Sequence, residues 1–160
     1  MLKKILIAFL ILLIIIQFIR PEKNLAGDAP QADALYNKFT MPPEIKSIFE
    51  TSCNDCHSNH TNYPWYSNIQ PVAWWLNSHI EDGKKHFNID EFLTYNAKKQ
   101  DHKMEEVIEM IETKEMPLRS YTWIHREADI TDEQRSAIIN WSKDVRKQIN
   151  YQPISASIKH

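Results

Sequence analysis

The stretch Cys53-Asn54-Asp55-Cys56-His57 decides the reading, and it holds the chain's two cysteines. Two thiols separated by two residues and followed at once by histidine form the attachment pattern for c-type haem. The spacing lets both thiols reach the two vinyl groups on one edge of a porphyrin, and the adjacent imidazole then comes up under the ring as proximal axial ligand to iron. Other chemistries compete for these residues. A thiol redox pair normally opens a helix after a strand in a βαβ pattern, and no strand pattern precedes this motif. A zinc site usually takes four ligands, and His57 with His60 would complete a Cys2His2 set of poor spacing. A disulfide across two residues would staple almost nothing. Covalent haem is the favoured reading, with Cys53, Cys56 and His57 as its attachment residues.

The chain around the motif has the composition of a helical domain. Its 160 residues amount to about one domain plus a short leading segment. Glycine occurs at Gly27 and Gly83 alone, fewer than the turns of a small β protein would want. Formal net charge is −2, from 19 basic and 21 acidic residues, and no basic stripe occurs, so nucleic acid is not an expected partner. The aromatic content, with five tryptophans and six tyrosines, suits the covering of a large flat ring but fills ordinary cores as well.

Upstream of the motif, Pro42-Pro43 opens a helix, and Ile45, Ile48 and Phe49 give it one apolar face at i, i+3, i+4. The cysteines are thus carried at a helix end. Farther back, 20–41 reads as a polar tether containing Gly27, Asp28 and Pro30, with a short helical turn expected over Ala32–Phe39. Residues 2–19 are apolar apart from Lys3, Lys4 and Gln17. As a helix they would span about 27 Å, close to the roughly 30 Å hydrocarbon thickness of a bilayer. The basic start also fits a cleaved signal peptide, but Arg20 and Pro21 follow where a small-residue cleavage site would be expected. The expectation is an N-terminal transmembrane helix, with the membrane as a partner. Because covalent haem attachment is completed outside the cytoplasmic membrane, the chain is expected in the inner membrane as a single-pass protein, haem domain facing the periplasm.

Downstream, Tyr63-Pro64-Trp65-Tyr66 places three large rings just after the histidine, either beside a porphyrin or as loop anchors. Pro71 starts a helix expected to run to about Asp82 and to stop at Gly83. Asn88 caps a third, with Glu91 at the capping-box position. A fourth is expected from about Ala97 to Lys114, with Met104, Val107, Ile108 and Ile111 on one face. Its wet side carries Glu105, Glu106, Glu109 and Glu112, a solvated face or a docking surface for a cationic redox partner. Met116-Pro117 then falls in an irregular segment, where a thioether can swing toward iron without breaking a helical ladder. Met116 is the foremost candidate for sixth ligand; His60, His79, His86, His102 and His125, or an open position, compete. Tyr121, Trp123 and His125 are placed in a loop. Thr131 with Gln134 caps a last helix whose buried face is Ile138, Trp141, Val145 and Ile149, and a frayed tail is expected over 151–160.

From about Pro42 to Val145 the chain resembles the bacterial haem-binding domain proteins of the cytochrome c type. The likeness rests on Cys53-Asn54-Asp55-Cys56-His57-Ser58, Tyr63-Pro64-Trp65-Tyr66-Ser67, Pro71 with Trp74-Trp75, Gly83, His86-Phe87-Asn88, Glu115-Met116-Pro117 and Trp141. It implies an all-α, cytochrome c-like domain over 42–150 holding one haem c through Cys53, Cys56 and His57. The Met-Pro step also resembles the distal-ligand loop of many small cytochromes c, which supports Met116. The function expected is electron transfer to unidentified redox partners, by a carrier rather than an enzyme. The alternatives are a five-coordinate haem sensor or peroxidase-like enzyme, with His125 or His79 as distal acid–base group, and a CxxC thiol redox protein.

Overall fold

A computed structural model describes residues 1–26 and 31–152. Gly27, Asp28 and Pro30 of the expected tether, and 153–160 of the expected tail, lie outside the described residues. The described chain is all-helical: α1 (Leu2–Ile16), α2 (Pro43–Ser52), α3 (Asn54–His57), α4 (Val72–His86), α5 (Ala97–Glu112), α6 (Arg119–Ile124) and α7 (Asp132–Ile149). Short 3-10 turns occupy Leu35–Asn37, Trp65–Asn68, Ile89–Thr94 and Arg126–Ala128. No strand occurs among the described residues; Leu25 and His60 form an isolated bridge.

The long helices α5 and α7 form the frame. Each begins at a side-chain cap: the Asn96 Oδ1 accepts from the Lys99 N–H, and Thr131 and Gln134 make a reciprocal capping box, satisfying backbone donors that a helix start leaves open. The two run antiparallel. Arg146 near the end of α7 makes a forked pair with Asp101 near the start of α5 at 2.8 and 2.9 Å, while Arg135 near the start of α7 reaches the Ile111 carbonyl at the other end. Met104, Ile111, Ile138, Trp141 and Val145 fill the space between, together with Phe49 of α2. Phe49 meets Trp141 edge-on at 5.5 Å, and the Trp141 indole N–H donates to the Thr40 carbonyl at 3.1 Å. The apolar tryptophan body is buried and its polar tip is satisfied, as a core indole requires.

The N-terminal expectation is corrected. α1 has 15 residues, about 22 Å at 1.5 Å per residue against a hydrocarbon core of roughly 30 Å. Among the described residues no helix is long and apolar enough to cross a membrane. The transmembrane helix over 2–19 is therefore overturned, and with it the placement as a single-pass inner-membrane protein whose haem domain faces the periplasm. Gln17 marks the physical break. Its side-chain amide donates to the Gln70 carbonyl at 3.2 Å and its carbonyl accepts from the Gln70 N–H at 2.9 Å. The next residues follow it onto the domain, since the Ile19 carbonyl accepts from both the Gln70 side chain and the Trp74 indole at 2.9 Å.

Other elements also differ from the expected outline. The segment 20–41 does more than tether: Ala34, Leu35 and Phe39 are buried in the core, and Asn24 donates to Ser58 and Thr61 while accepting from the Lys84 ammonium. Tyr121 and Trp123 ride on the short helix α6 rather than on a loop. Asn88 caps a 3-10 turn, accepting from the Asp90 N–H, two residues on. And α4 does not stop at Gly83 but continues to His86.

Candidate functional site

Cys53 is the single residue between α2 and α3, closing one helix and capping the next. Its backbone, at φ −127°, ψ −44°, tightens the chain so that its carbonyl accepts from the N–H groups of both Cys56 and His57, at 3.1 and 3.0 Å. One tight turn therefore fixes both thiols and the imidazole together. Asp55, between the cysteines, locks that turn from outside. Its carboxylate accepts from the Tyr121 hydroxyl at 2.7 Å and the Asn62 N–H at 3.0 Å, and its carbonyl accepts from Thr61 at 2.6 Å.

Gly83 explains why α4 carries a glycine in mid-course. A Cβ at this position would overlap the carbonyl oxygen of Cys56, so only a residue without one lets α4 approach α3 this closely. That approach brings the α4 end to His57. The His57 Nδ1 lies 2.9 Å from the Phe87 carbonyl just past α4. With Nδ1–H donating there, Nε2 keeps its lone pair and the ring plane is set, as bound imidazoles generally require. Burial holds the His57 pKa below the ordinary range; carbonyl contacts to Phe87 and Gly83 oppose this and His86 adds to it. Burial thus favours the neutral ring, the form that binds metal.

The motif opens onto a largely apolar cavity of about 500 Å³, within the range of cofactor sites. Cys53, Cys56 and His57 line one part, His79, Gly83, His86 and Phe87 another, and Val107, Met110, Met116, Leu118 and Tyr121 a third. The four residues expected to serve a haem thus lie around one space. Met116 is half-buried and its backbone is held at both ends: its N–H donates to the Met110 carbonyl at 3.1 Å, and its carbonyl accepts from Arg135 Nη1 at 2.8 Å. Lys114, at φ 61°, turns the chain off α5 through the left-handed conformation common at helix ends.

The competing histidines separate by position. His79 and His86 line the cavity. His60 is bound to the Ala26 carbonyl, His102 lies against Glu105 and Glu106, and His125 pairs with Tyr66 and Glu127; none of these three lines it. Met110 does, although nothing in the helical pattern singled it out. The Tyr63–Tyr66 rings are anchors or surface: the Tyr63 hydroxyl accepts from the Asn24 N–H, Trp65 is 77% exposed, and Tyr66 meets His125.

Burial first, and the neighbouring Cys56 second, push the Cys53 thiol up to about 12; burial and then Asp55 push Cys56 up to about 11. Both stay protonated, the reverse of the lowered pKa that makes a redox thiol reactive. Among the described residues no group of three or more His, Cys, Asp or Glu side chains is placed to hold a metal ion, so the zinc alternative finds no ligand set. Burial and the Asp55 carboxylate also hold the Tyr121 hydroxyl well above the ordinary tyrosine range. Tyr121 stacks on His125 at 4.6 Å and 23°, a contact that sequence spacing does not announce.

Fold and site together define an all-helical domain whose cysteine–histidine turn faces an apolar cavity of cofactor size. The family model for the haem-binding domain matches residues 11–144, and the chain belongs to that family. No curated protein and no solved structure matches the chain. The residues present fit a haem: the cavity is largely apolar, its wall offers two thiols, an imidazole oriented through its Nδ1 and a thioether, and these are donor types that haem chemistry uses.

Proposed function

We propose that the domain binds haem covalently as haem c and serves as a one-electron carrier. Cys53 and Cys56 would hold the group by thioether bonds, and His57 Nε2 and the Met116 thioether would serve as its iron ligands. The observation that carries this reading is the shared turn Cys53–His57 facing the cavity that Met116 also lines. When bound, the haem iron supplies exchange of one electron between Fe(II) and Fe(III). The chain's part would be to supply the iron ligands His57 and Met116, exclude water with Phe87, Val107 and Leu118, and hold those side chains in place in both redox states. Two iron ligands supplied by the chain would leave no position for a substrate, which favours a carrier over the sensor or peroxidase reading. The raised thiol pKa values weigh against thiol redox chemistry.

The test is expression in a host with haem-attachment machinery, followed by acid extraction and visible spectra. Pigment should stay with the polypeptide, and the reduced form should bind carbon monoxide slowly. Rapid carbon monoxide binding would support a five-coordinate sensor or enzyme instead. A colourless polypeptide after extraction would end the covalent reading.

A further inference from the structure

Lys103 on α5 is an unusual lysine for this chain. Its side chain is 11% exposed, while the other lysines in ion pairs, Lys46, Lys114, Lys143 and Lys147, are 53 to 77% exposed. It lines the apolar cavity rather than the solvent face of its helix. Its ammonium donates to Glu106 at 2.6 Å, which occupies one of three donor positions. A lysine so deeply withdrawn costs desolvation that one half-exposed carboxylate three residues away offsets poorly. An ordinary surface pair at this spacing would leave the lysine in water.

The charges around the cavity sharpen the point. Among the described residues that line it, Asp55, Asp82, Glu106 and Glu109 are carboxylates, and Lys103 is the one lysine or arginine. A haem brings two further carboxylates, its propionates, into this negative surrounding. They lie on the porphyrin edge opposite the vinyl groups, away from the sulfurs. Lys103 stands seven residues, about 10 Å along the helix, from Met110. Glu106 has a second partner ready, since His102 Nε2 lies 3.2 Å from its other oxygen.

We infer that Lys103 is the anchor for a haem propionate, its ammonium shared between that propionate and Glu106 when the haem is in place. This rests on the proposed function above. Lys103 binds and orients the group, and adds a positive charge near the iron.

The test uses the protein with haem covalently attached, comparing Lys103→Gln, Lys103→Arg and Glu106→Gln by resonance Raman spectroscopy of the propionate-bending mode and by potentiometric titration. In Lys103→Gln the mode should shift and the midpoint should fall, because a cation that stabilised the reduced iron is gone. Lys103→Arg should restore both toward wild type. Glu106→Gln should move the mode in the opposite direction to Lys103→Gln, because the ammonium then serves the propionate alone. A mode unmoved in Lys103→Gln, or in Glu106→Gln should the first variant not assemble, overturns the assignment, even where the midpoint changes. Failure of the underlying reading looks different: the wild-type protein itself would keep no haem after acid extraction.

Discussion

Replacing Gly83 by alanine tests the site's architecture most directly. Anywhere else inside a 15-residue helix such as α4, Gly→Ala should stabilise by up to about 1 kcal/mol through helix propensity. Here the new methyl group would overlap the backbone carbonyl of Cys56 and crowd its Cβ. The obstacle is main chain fixed by the Cys53–His57 turn, so it cannot rotate away as a flexible side chain would. Overpacking of this kind costs roughly 1–3 kcal/mol or somewhat more. The steric term should win, for a net loss of about 1–2 kcal/mol, or roughly 3–6 °C in Tm for a chain of this size. The displacement falls on Cys56 and, through it, on the His57–Phe87 contact, so haem loading should fall beyond what the melting loss explains. Thermal unfolding by circular dichroism, with haem content per polypeptide measured on the same samples, reads both effects. A Gly83→Ala protein as stable as wild type and loaded to the same level would refute the close α3–α4 approach.

Three further outcomes follow from the same geometry. Met116→Ala in the haem-loaded protein should lower the midpoint by ~0.1 V, within the ~0.8 V that axial ligands command, and speed carbon monoxide binding; an unchanged potential removes Met116 as ligand and turns attention to Met110, His79 and His86. Arg135→Gln removes the guanidinium bond to the Met116 carbonyl and should cost about 1–2 kcal/mol in urea unfolding, with partial loss of the methionine–iron charge-transfer band; full retention of that band would show the loop holds itself. In the haem-free protein at pH 8, Cys53 and Cys56 should alkylate at least about tenfold more slowly than in the urea-unfolded chain, because their folded pKa values of about 12 and 11 leave little thiolate. The sign for stability follows: the two raised thiols stabilise fully below their unfolded value near 9.0, and that contribution is lost as pH rises through about 11 to 12.

The parts of the molecule that were legible in the sequence are those set by local rules. The Thr131–Gln134 capping box, the faces of α2, α5 and α7, and the convergence of Cys53, Cys56 and His57 depend on spacings of three and four residues, which a helix fixes on its own. The role of Gly83 is not legible in the sequence, because glycine ends helices far more often than it serves a close crossing, and only the partner backbone tells the two apart. Gln17 stands in the sequence as one polar residue in an apolar run; its partner, Gln70, is 53 positions away. The withdrawal of Lys103 is not legible in the sequence, since burial of a single lysine depends on what faces it.

These long-range contacts act on one small turn. The Cys56 carbonyl is met by Gly83, the His57 ring by Phe87, and the Asp55 carboxylate by Tyr121. A four-residue helix such as α3 cannot hold itself, because its nucleation cost exceeds what its own hydrogen bonds return. Its geometry is therefore imposed by α4 on one side and α6 on the other. In the proposed carrier this matters for rate: an imidazole locked by its Nδ1 partner, and a methionine pinned through both its N–H and its carbonyl, move little when the iron changes charge. Loosening either clamp should therefore slow electron self-exchange more than it shifts the midpoint, whereas changing a ligand should shift the midpoint first.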